Sequence, residues 1–250
     1  MKFHGKVVLI TGGGSGVGRA TALAFAREGA TVVVSGRTRS TLTETVKLIE
    51  QENGRADLIT ADITDAADVR NLVRTTVERH GSLDIAFNNA GAFAVGPVAD
   101  MDESAWNALV ATNLTGLFLS LKYEIAHMRG HGGGVIVNTS SVLGPHVRPE
   151  GMGAYSATKA AVSALTRTAA RENIGAGIRI NALTPGPLDT PMSLRPGETS
   201  ADRAERLKAA LPIGRVGTLE EAAATVLWLC SPDSSFVVGH DLVLDGGAAA

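Results

Sequence analysis

Tyr155 and Lys159 stand four residues apart at the start of a stretch with helical periodicity. On a helix, positions four apart share one face, so the two side chains project side by side. A phenol has a pKa of about 10, and a cation one turn away lowers that pKa by stabilising the phenolate. The pair can therefore act as a general acid or base near pH 7. The alternative is a tyrosine packed in the core beside a lysine whose ammonium reaches solvent.

A glycine-rich turn near the N-terminus has the composition of a dinucleotide-binding loop. The apolar run at residues 7–10 predicts a buried strand, and residues 11–18 (TGGGSGVG) lead from it into a helical pattern that ends at Gly29. Glycines let the backbone approach a diphosphate, and the helix N-terminus supplies N–H donors. The spacing is Gly-x3-Gly-x-Gly rather than the commoner Gly-x-Gly-x-x-Gly, and a plain turn is the alternative.

The end of the second strand, residues 31–35, bears on the choice between NADP(H) and NAD(H). NAD-binding units usually place an Asp or Glu about 20 residues after the glycine turn, where it binds the ribose hydroxyls. Here residues 35–39 read SGRTR, and no carboxylate occurs between Glu28 and Glu44. Arg37 offers a planar set of donors to a 2′-phosphate, which favours NADP(H) and leaves NAD(H) open. Two solvated loop arginines are the alternative.

Strands and helices alternate along the rest of the chain. We predict strands at residues 56–60, 83–87, 135–138, 178–183 and 241–244, and helices at 40–52, 66–80, 103–123, from 155 onward, and 220–230. This alternation is typical of a parallel sheet, in which ligands bind at the carboxyl ends of the strands. Asp62, residues 88–91 (NNAG) and the hydroxyls of residues 139–141 follow such strand ends. Asn113 lies inside a predicted helix, where Asn is a mediocre helix former.

The composition suits one α/β domain over residues 1–250, because the chain has 250 residues of which 44% are hydrophobic. A net charge of −2 and a pI of about 6.3 argue against nucleic acid and anionic membranes as partners. Cys230 is the single cysteine, so an intrachain disulfide is excluded. The apolar runs are too short for a signal peptide or a membrane span. We expect a cytoplasmic protein with no metal site.

Residues 192–212 are polar, lack a clean period and contain Pro196 and Gly197. We predict that they form an irregular lid that is mobile without substrate and helps to select it.

Together these motifs resemble the classical short-chain dehydrogenases/reductases over nearly the whole chain. They occur in the family's order: Thr11-Gly12-x3-Gly16-x-Gly18, Asp62, Asn88-Asn89-Ala90-Gly91, Asn113, Ser141, Tyr155-x3-Lys159, Pro185-Gly186 and Thr190. The resemblance implies a Rossmann-type, doubly wound, seven-stranded parallel sheet with three helices on each face. It also implies a homotetramer or homodimer.

The resemblance implies a catalytic tetrad made of Asn113, Ser141, Tyr155 and Lys159. Tyr155 would pass its proton to a carbonyl oxygen as hydride arrives from the nicotinamide, and Ser141 would polarise the same oxygen. Lys159 would lower the pKa of Tyr155 and bind the nicotinamide ribose. Asn113 would hold a water molecule in a proton relay.

The resemblance also implies the cofactor contacts. Thr190 and the backbone near Leu188 would hold the carboxamide, and Asp62 would face the adenine. The expected contact residues are Gly12, Ser15, Gly16, Val17, Gly18, Arg37, Asp62, Ile63, Asn89, Ala90, Gly91, Tyr155, Lys159, Pro185, Gly186, Leu188 and Thr190.

Two features depart from the family pattern. Ser141 lies 14 residues before Tyr155, one more than is common, and we prefer it to Ser140 because Val-x-Gly follows it. Acyl-carrier-protein reductases of the family carry basic residues before the fifth strand and after the tetrad helix. Gly132 and Ala176 stand at those positions here, which weakens an acyl-carrier substrate without excluding it.

We therefore predict an NADP(H)-dependent carbonyl reductase or alcohol dehydrogenase with a small-molecule substrate. The alternatives are a 3-oxoacyl-(acyl-carrier-protein) reductase and a non-catalytic dinucleotide-binding regulator, although a regulator would be expected to lose the tetrad. The lid and the residues Phe93, His146, Arg148, Met152 and Leu188 are expected to frame the substrate pocket. These pocket residues suit apolar ketones. The alternative for His146 and Arg148 is that they lie in a solvated loop outside the pocket.

Overall fold

The computed structural model describes residues 1–195 and 197–250, so Pro196 of the predicted lid lies outside the described residues. Seven parallel strands form a sheet in the order β3-β2-β1-β4-β5-β6-β7. Their bounds are β1 Val7–Thr11, β2 Thr31–Gly36, β3 Arg55–Thr60, β4 Ile85–Asn88, β5 Gly134–Thr139, β6 Ile178–Pro185 and β7 Asp241–Leu244. The sheet confirms the predicted Rossmann-type, doubly wound fold.

Helices cover both faces of this sheet. Their bounds are α1 Gly16–Arg27, α2 Arg39–Gln51, α3 Ala66–His80, α4 Glu103–Val110, α5 Gly116–Arg129, α6 Gly153–Asn173, α7 Ser200–Ala210 and α8 Leu219–Cys230. Helices α1, α2 and α8 pack on one face, and α3, α5 and α6 pack on the other. None of the helices in the described part of the chain is long and apolar enough to span a membrane.

The central strand β1 shows why its sequence is apolar throughout. Val8 and Ile10 pack into the core beneath α1, α2 and α8, whereas Val7 and Leu9 pack into the core beneath the other helices. Successive side chains of a strand point to opposite faces, so a strand covered on both sides needs a continuous apolar run.

The sheet order reverses direction between β1 and β4, and this opens a crevice at their carboxyl ends. Thr11 at the end of β1 pairs with Asn88 at the end of β4. The Thr11 hydroxyl accepts hydrogen bonds from the backbone N–H groups of Asn89 and Ala90, at 3.1 and 3.2 Å. The glycine turn and the NNAG turn therefore lie side by side, where a dinucleotide would bind.

The helix predicted over residues 103–123 extends to Arg129 in the structure and is interrupted by a π-helical turn. Residues 111–115 form a π-helical turn between α4 and α5, and Asn113 is buried within it. A π-turn inserts one extra residue, and such turns are frequent at functional sites.

The prediction that residues 192–212 are irregular is wrong, because α7 occupies residues 200–210. The role of this segment as a lid that is mobile without substrate stays a prediction. A capping box between Thr199 and Asp202 starts the helix. Arg203, Leu207 and Leu211 recur every fourth residue and are all buried. The helical period is hidden in the sequence because an arginine occupies one of its buried positions.

A buried carboxyl group lies between the sheet and α5. Glu124 accepts a hydrogen bond of 2.9 Å from the Asn88 side chain, which also donates to Asn138 at 3.1 Å. Asn138 in turn donates to Thr166 on α6 at 2.9 Å. Burial raises the pKa of Glu124 to about 7, against a reference value of 4.5. The folded protein therefore holds a proton that the unfolded chain releases.

Glu124 should make stability fall as pH rises. Between pH 4.5 and about 7 the unfolded chain loses this proton and the folded protein keeps it, so the free energy of unfolding decreases through that window. The expected decrease is on the order of 3 kcal/mol. Glu124→Gln keeps an acceptor for Asn88 and should remove this component in urea unfolding measured from pH 4.5 to 8. Glu172→Gln, on the exposed side of α6, is the control, and parallel curves for wild type and Glu124→Gln would contradict the assignment.

Candidate active site

Tyr155 lies in the first turn of α6 and faces a cavity of about 430 Å³ together with Ser141. The Phe93 ring packs edge-on against the Tyr155 ring, with centroids 4.9 Å apart and an interplanar angle of 76°. Tyr155 is only 7% exposed, so its side chain is largely buried although it lines the cavity. A phenol hydroxyl thus borders a pocket into which a small molecule fits.

Lys159 lies one turn after Tyr155 and is also buried. Its ammonium donates a hydrogen bond of 2.8 Å to the Thr139 carbonyl and lies 5.7 Å from the centre of the Tyr155 ring. Burial lowers the pKa of Lys159 to about 8 because the charged form is desolvated. The side-by-side placement expected from the spacing is therefore present.

The pKa of Tyr155 differs from the expectation. Burial raises it to about 12, and the nearby Ser141 hydroxyl lowers it by a smaller amount. The lowering expected from Lys159 is therefore not found in this structure, because desolvation of the phenolate dominates. Tyr155 is held as the neutral phenol at pH 7, which is the form that can donate a proton.

The two serines after β5 point in different directions. The Ser140 hydroxyl contacts the Lys159 carbonyl at 3.1 Å and the Ser163 hydroxyl at 2.8 Å, so it faces α6. The Ser141 hydroxyl accepts from the Leu143 N–H at 3.1 Å and borders the cavity. The geometry thus favours Ser141 as the serine that meets a substrate.

Asn113 joins three parts of the site through its side-chain amide. Its oxygen accepts from the Ala92 N–H at 2.7 Å, and its nitrogen donates to the Ala92 carbonyl at 3.0 Å and to Thr158 at 3.2 Å. The amide fastens the segment after β4 to α6, and both of its N–H hydrogens are used. The role in holding a water molecule stays a prediction.

The glycine turn is shaped for close approach of a ligand. Gly12 has φ +68°, a left-handed conformation that favours glycine. A Cβ atom on Gly18 would overlap the Gly12 carbonyl, so the start of α1 can pack against the turn only with glycine there. The backbone N–H groups at this helix N-terminus suit a diphosphate.

One end of the groove beside this turn has the features of an adenosine site. It is a cavity of about 260 Å³ whose lining includes Gly12, Ser15, Arg37, Asp62, Ile63, Ala90 and Gly91. Arg37 is exposed at its edge, whereas Arg19 behind the turn is paired with Glu44 at 2.7 Å. Hydrogen bonds from the N–H and hydroxyl of Thr64 keep the pKa of Asp62 below its usual value.

The other end of the groove leads to Tyr155. A cavity of about 290 Å³ there is lined by residues that include Ser15, Gly16, Val17, Asn89, Ala90, Gly91, Ser141, Tyr155, Lys159, Pro185, Gly186, Leu188 and Thr190. The structure therefore brings the expected cofactor residues together along one groove, with Gly18 packed beneath it. Thr38, Thr41 and Thr112 also line its adenosine end and were missed, because loop threonines carry no distinctive sequence signal.

The cavity of about 430 Å³ beside Tyr155, which is the candidate substrate site, is lined by only some of the residues that were predicted to line it. Phe93, Met152 and Leu188 line it, and His146 and Arg148 are exposed outside it, as in the solvated alternative. Leu194, Arg206 and Leu207 line it as well and belong to the segment 192–212 that was expected to frame the pocket, although the helix that carries two of them was not predicted. Among the described residues, no cluster of three or more His, Cys, Asp or Glu side chains could hold a metal ion.

Comparison with known proteins extends these observations. The sequence model of a family described as enoyl-(acyl carrier protein) reductase matches residues 12–249. The chain is 38% identical over 247 residues to a 3-oxoacyl-(acyl-carrier-protein) reductase from Thermotoga maritima, covering 99% of each protein. The chain belongs to the short-chain dehydrogenase/reductase family.

Further members of the short-chain dehydrogenase/reductase family agree in sequence and in fold. A cyclohexanol dehydrogenase from an Acinetobacter species is 38% identical over 246 residues, which is 98% of this chain and 95% of that protein. A short-chain dehydrogenase from Burkholderia cenocepacia, solved in complex with NADP, superposes with a TM-score of 0.91 at 33% identity over the full length of both chains. The protein is thus a short-chain dehydrogenase/reductase, an oxidoreductase that acts on alcohol and ketone groups.

Proposed function

We propose that this enzyme transfers hydride between NADP(H) and a small apolar ketone or secondary alcohol. The observation that carries the proposal is that Tyr155 and Ser141 border both the groove suited to a dinucleotide and an apolar cavity. A carbonyl group in that cavity would lie between a proton donor and the nicotinamide end of the groove.

Tyr155, Ser141 and Lys159 each have a distinct role in the proposed reaction. Tyr155 donates its Oη proton to the carbonyl oxygen, and Ser141 donates a hydrogen bond to the same oxygen as negative charge develops there. The Lys159 ammonium lies behind Tyr155 and favours the phenolate that remains. The bound nicotinamide supplies the hydride. The apolar cavity walls exclude water and so strengthen these electrostatic effects.

The cavity walls support an uncharged, compact substrate. Phe93, Leu143, Met152, Leu188 and Leu207 are among the apolar residues that line the cavity. Three charged residues also border the cavity: Glu150 and Arg195, which are exposed to solvent, and Arg206, whose charge is balanced by Glu198 at 2.6 Å. Alicyclic ketones fit this lining, and two relatives are named for alicyclic alcohols, cyclohexanol and cis-4-hydroxycyclohexanecarboxylate.

A 3-oxoacyl-(acyl-carrier-protein) reductase is the second candidate, because one relative at 38% identity has that name. Carrier-protein docking calls for basic residues, and Gly132 and Ala176 offer none at the two positions concerned. A non-catalytic regulator is disfavoured because the four tetrad residues are retained. Assembly into a tetramer or dimer and a cytoplasmic location stay predictions.

A substrate panel tests the proposed function. We expect NADPH-dependent reduction of cyclohexanone and its alkyl derivatives to exceed reduction of an acetoacetyl thioester of acyl carrier protein. Faster turnover of the carrier-bound thioester would favour the second candidate. Nucleotide binding without reduction of any compound would favour the regulator.

Arg37 should decide the preference between the two cofactors. A guanidinium on a 2′-phosphate contributes on the order of 1.5–3 kcal/mol, so Arg37→Ala should weaken NADPH binding roughly tenfold or more and leave NADH binding almost unchanged. Arg39→Ala is the matched control, since Arg39 is an exposed residue at the start of α2. Titration of each variant with both nucleotides is the measurement. Equal losses for NADPH and NADH would show that Arg37 does not contact the phosphate.

A further inference from the structure

Arg203 on α7 is a buried arginine whose contacts converge on one short segment. Its guanidinium donates to the Thr190 carbonyl and to the Ser193 hydroxyl, both at 3.1 Å, and forms an ion pair with Asp189. The Ser193 hydroxyl also donates to the Thr190 carbonyl at 2.8 Å. Arg203 is 5% exposed, whereas the side chain of Asp189 is 61% exposed, so the guanidinium is buried while its carboxylate partner stays in contact with solvent. We name residues 189–193 the clamp segment.

The clamp segment borders both the groove and the substrate cavity, with Met192 in the lining of each, whereas α7 borders the substrate cavity. Thr190 lines the nicotinamide end of the groove. Arg206 and Leu207, on the turn of α7 that follows Arg203, line the substrate cavity. Arg206 also donates to the Ser193 carbonyl at 3.1 Å. The contacts of Arg203 therefore join the wall of one binding region to the wall of the other.

We propose that Arg203 is a positioning residue that fixes the clamp segment against α7 and thereby couples binding of the nicotinamide half of the cofactor to the shape of the substrate cavity. The inference rests on the proposed function, because it assigns the nicotinamide to the groove beside Thr190. Arginine suits the role because its planar guanidinium donates to a carboxylate, a carbonyl and a hydroxyl at the same time. The compact ammonium of a lysine cannot reach all three acceptors.

If Arg203 served only to stabilise the fold, its loss would have a different effect on ligand binding. An ion pair that only stabilises α7 would, when lost, lower the stability of the protein and affect all ligands alike. A positioning role affects only ligands that reach the clamp segment. NADPH has a nicotinamide, whereas 2′-phospho-ADP-ribose carries the adenosine, the diphosphate and the second ribose but lacks the nicotinamide that the proposal places beside Thr190.

The experiment compares these two ligands by calorimetric titration of wild type, Arg203→Met and Arg203→Lys. Arg203→Met should weaken NADPH binding about tenfold, the equivalent of one charged hydrogen bond, and leave 2′-phospho-ADP-ribose within about twofold. The ketone KM should rise more than kcat falls, because the cavity wall shifts while Tyr155 stays in place. Arg203→Lys should restore part of the NADPH affinity. Lys208→Met, which removes an exposed charge from the same helix, is the control.

Equal weakening of both ligands, or no weakening of either, would overturn the positioning role. If Arg203→Met does not fold, Ser193→Ala removes one acceptor of the same guanidinium and should shift only NADPH binding, by a smaller factor. The proposed function and the positioning role of Arg203 can be contradicted independently of each other. A wild type that binds both ligands but reduces no ketone contradicts the proposed function, and the ligand comparison still decides the role of Arg203.

Discussion

Tyr155→Phe should lower the rate of ketone reduction about 10²–10⁴-fold, the usual contribution of general acid catalysis. The substitution removes one oxygen and leaves the ring to pack against Phe93. The glycine turn and the adenosine end of the groove lie elsewhere, so NADPH affinity should stay within a few fold. Single-turnover oxidation of bound NADPH at saturating ketone isolates the chemical step and is the appropriate measurement.

The chain supplies a matched control for this substitution, because Tyr123 is its other tyrosine. The Tyr123 hydroxyl lies on α5 and accepts a hydrogen bond from Arg70 at 3.3 Å, away from the cavity. Tyr123→Phe should therefore reduce ketones at the wild-type rate. Near-wild-type reduction by Tyr155→Phe across the ketone panel would leave Tyr155 as a packing residue only.

Lys159→Ala should be more damaging than Tyr155→Phe, because it affects two steps. Loss of the ammonium removes the cation beside the phenol and the expected contact with the nicotinamide ribose. Turnover should fall more than about 10²-fold, and NADPH affinity should fall with it. Lys159→Arg should not rescue fully, since a planar guanidinium does not fit the position of a compact ammonium against the Thr139 carbonyl. Unchanged nucleotide affinity in Lys159→Ala would contradict the ribose contact.

The pKa of Lys159 adds a pH dependence to this expectation. Burial lowers that pKa to about 8, so the ammonium is lost as pH rises through that value. Reduction by the wild-type enzyme should therefore decline above about pH 8, while Tyr155 stays protonated because its own pKa is about 12. A flat rate profile from pH 7 to 10 would show that the charge on Lys159 is not needed for the chemical step.

Local sequence signals predicted much of the fold. Helix α3 begins after Asp65, whose carboxylate accepts from two N–H groups of the first turn, and it ends at Gly81 in a left-handed conformation. Both signals are readable from the sequence, and the predicted bounds were confirmed. Helix α7 was missed because its buried face includes Arg203, whose partner Asp189 lies 14 residues away. Periodicity cannot identify a charged core position before its partner is known.

As with the fold, the sequence predicted which residues meet at the candidate site but did not predict all of its properties. Its motifs follow strands of one parallel sheet, and topology brings the carboxyl ends of those strands together. The direction of the Tyr155 pKa shift was not predictable, because it depends on desolvation by the surrounding fold, which outweighs the spacing to Lys159. The sequence also did not distinguish solvent-exposed His146 and Arg148 from pocket residues, because loop conformation decides which way such side chains point.

Transfer of deuterium from cofactor to product tests hydride transfer with Tyr155 as the acid most directly. Wild-type enzyme is incubated with cyclohexanone and NADPH deuterated at the transferable C4 position, and the product is analysed by mass spectrometry and NMR. One deuterium on the carbinol carbon is expected, formed about 10²–10⁴-fold more slowly by Tyr155→Phe. Cyclohexanol without deuterium, or equal rates of deuterium transfer by the two proteins, would contradict that assignment.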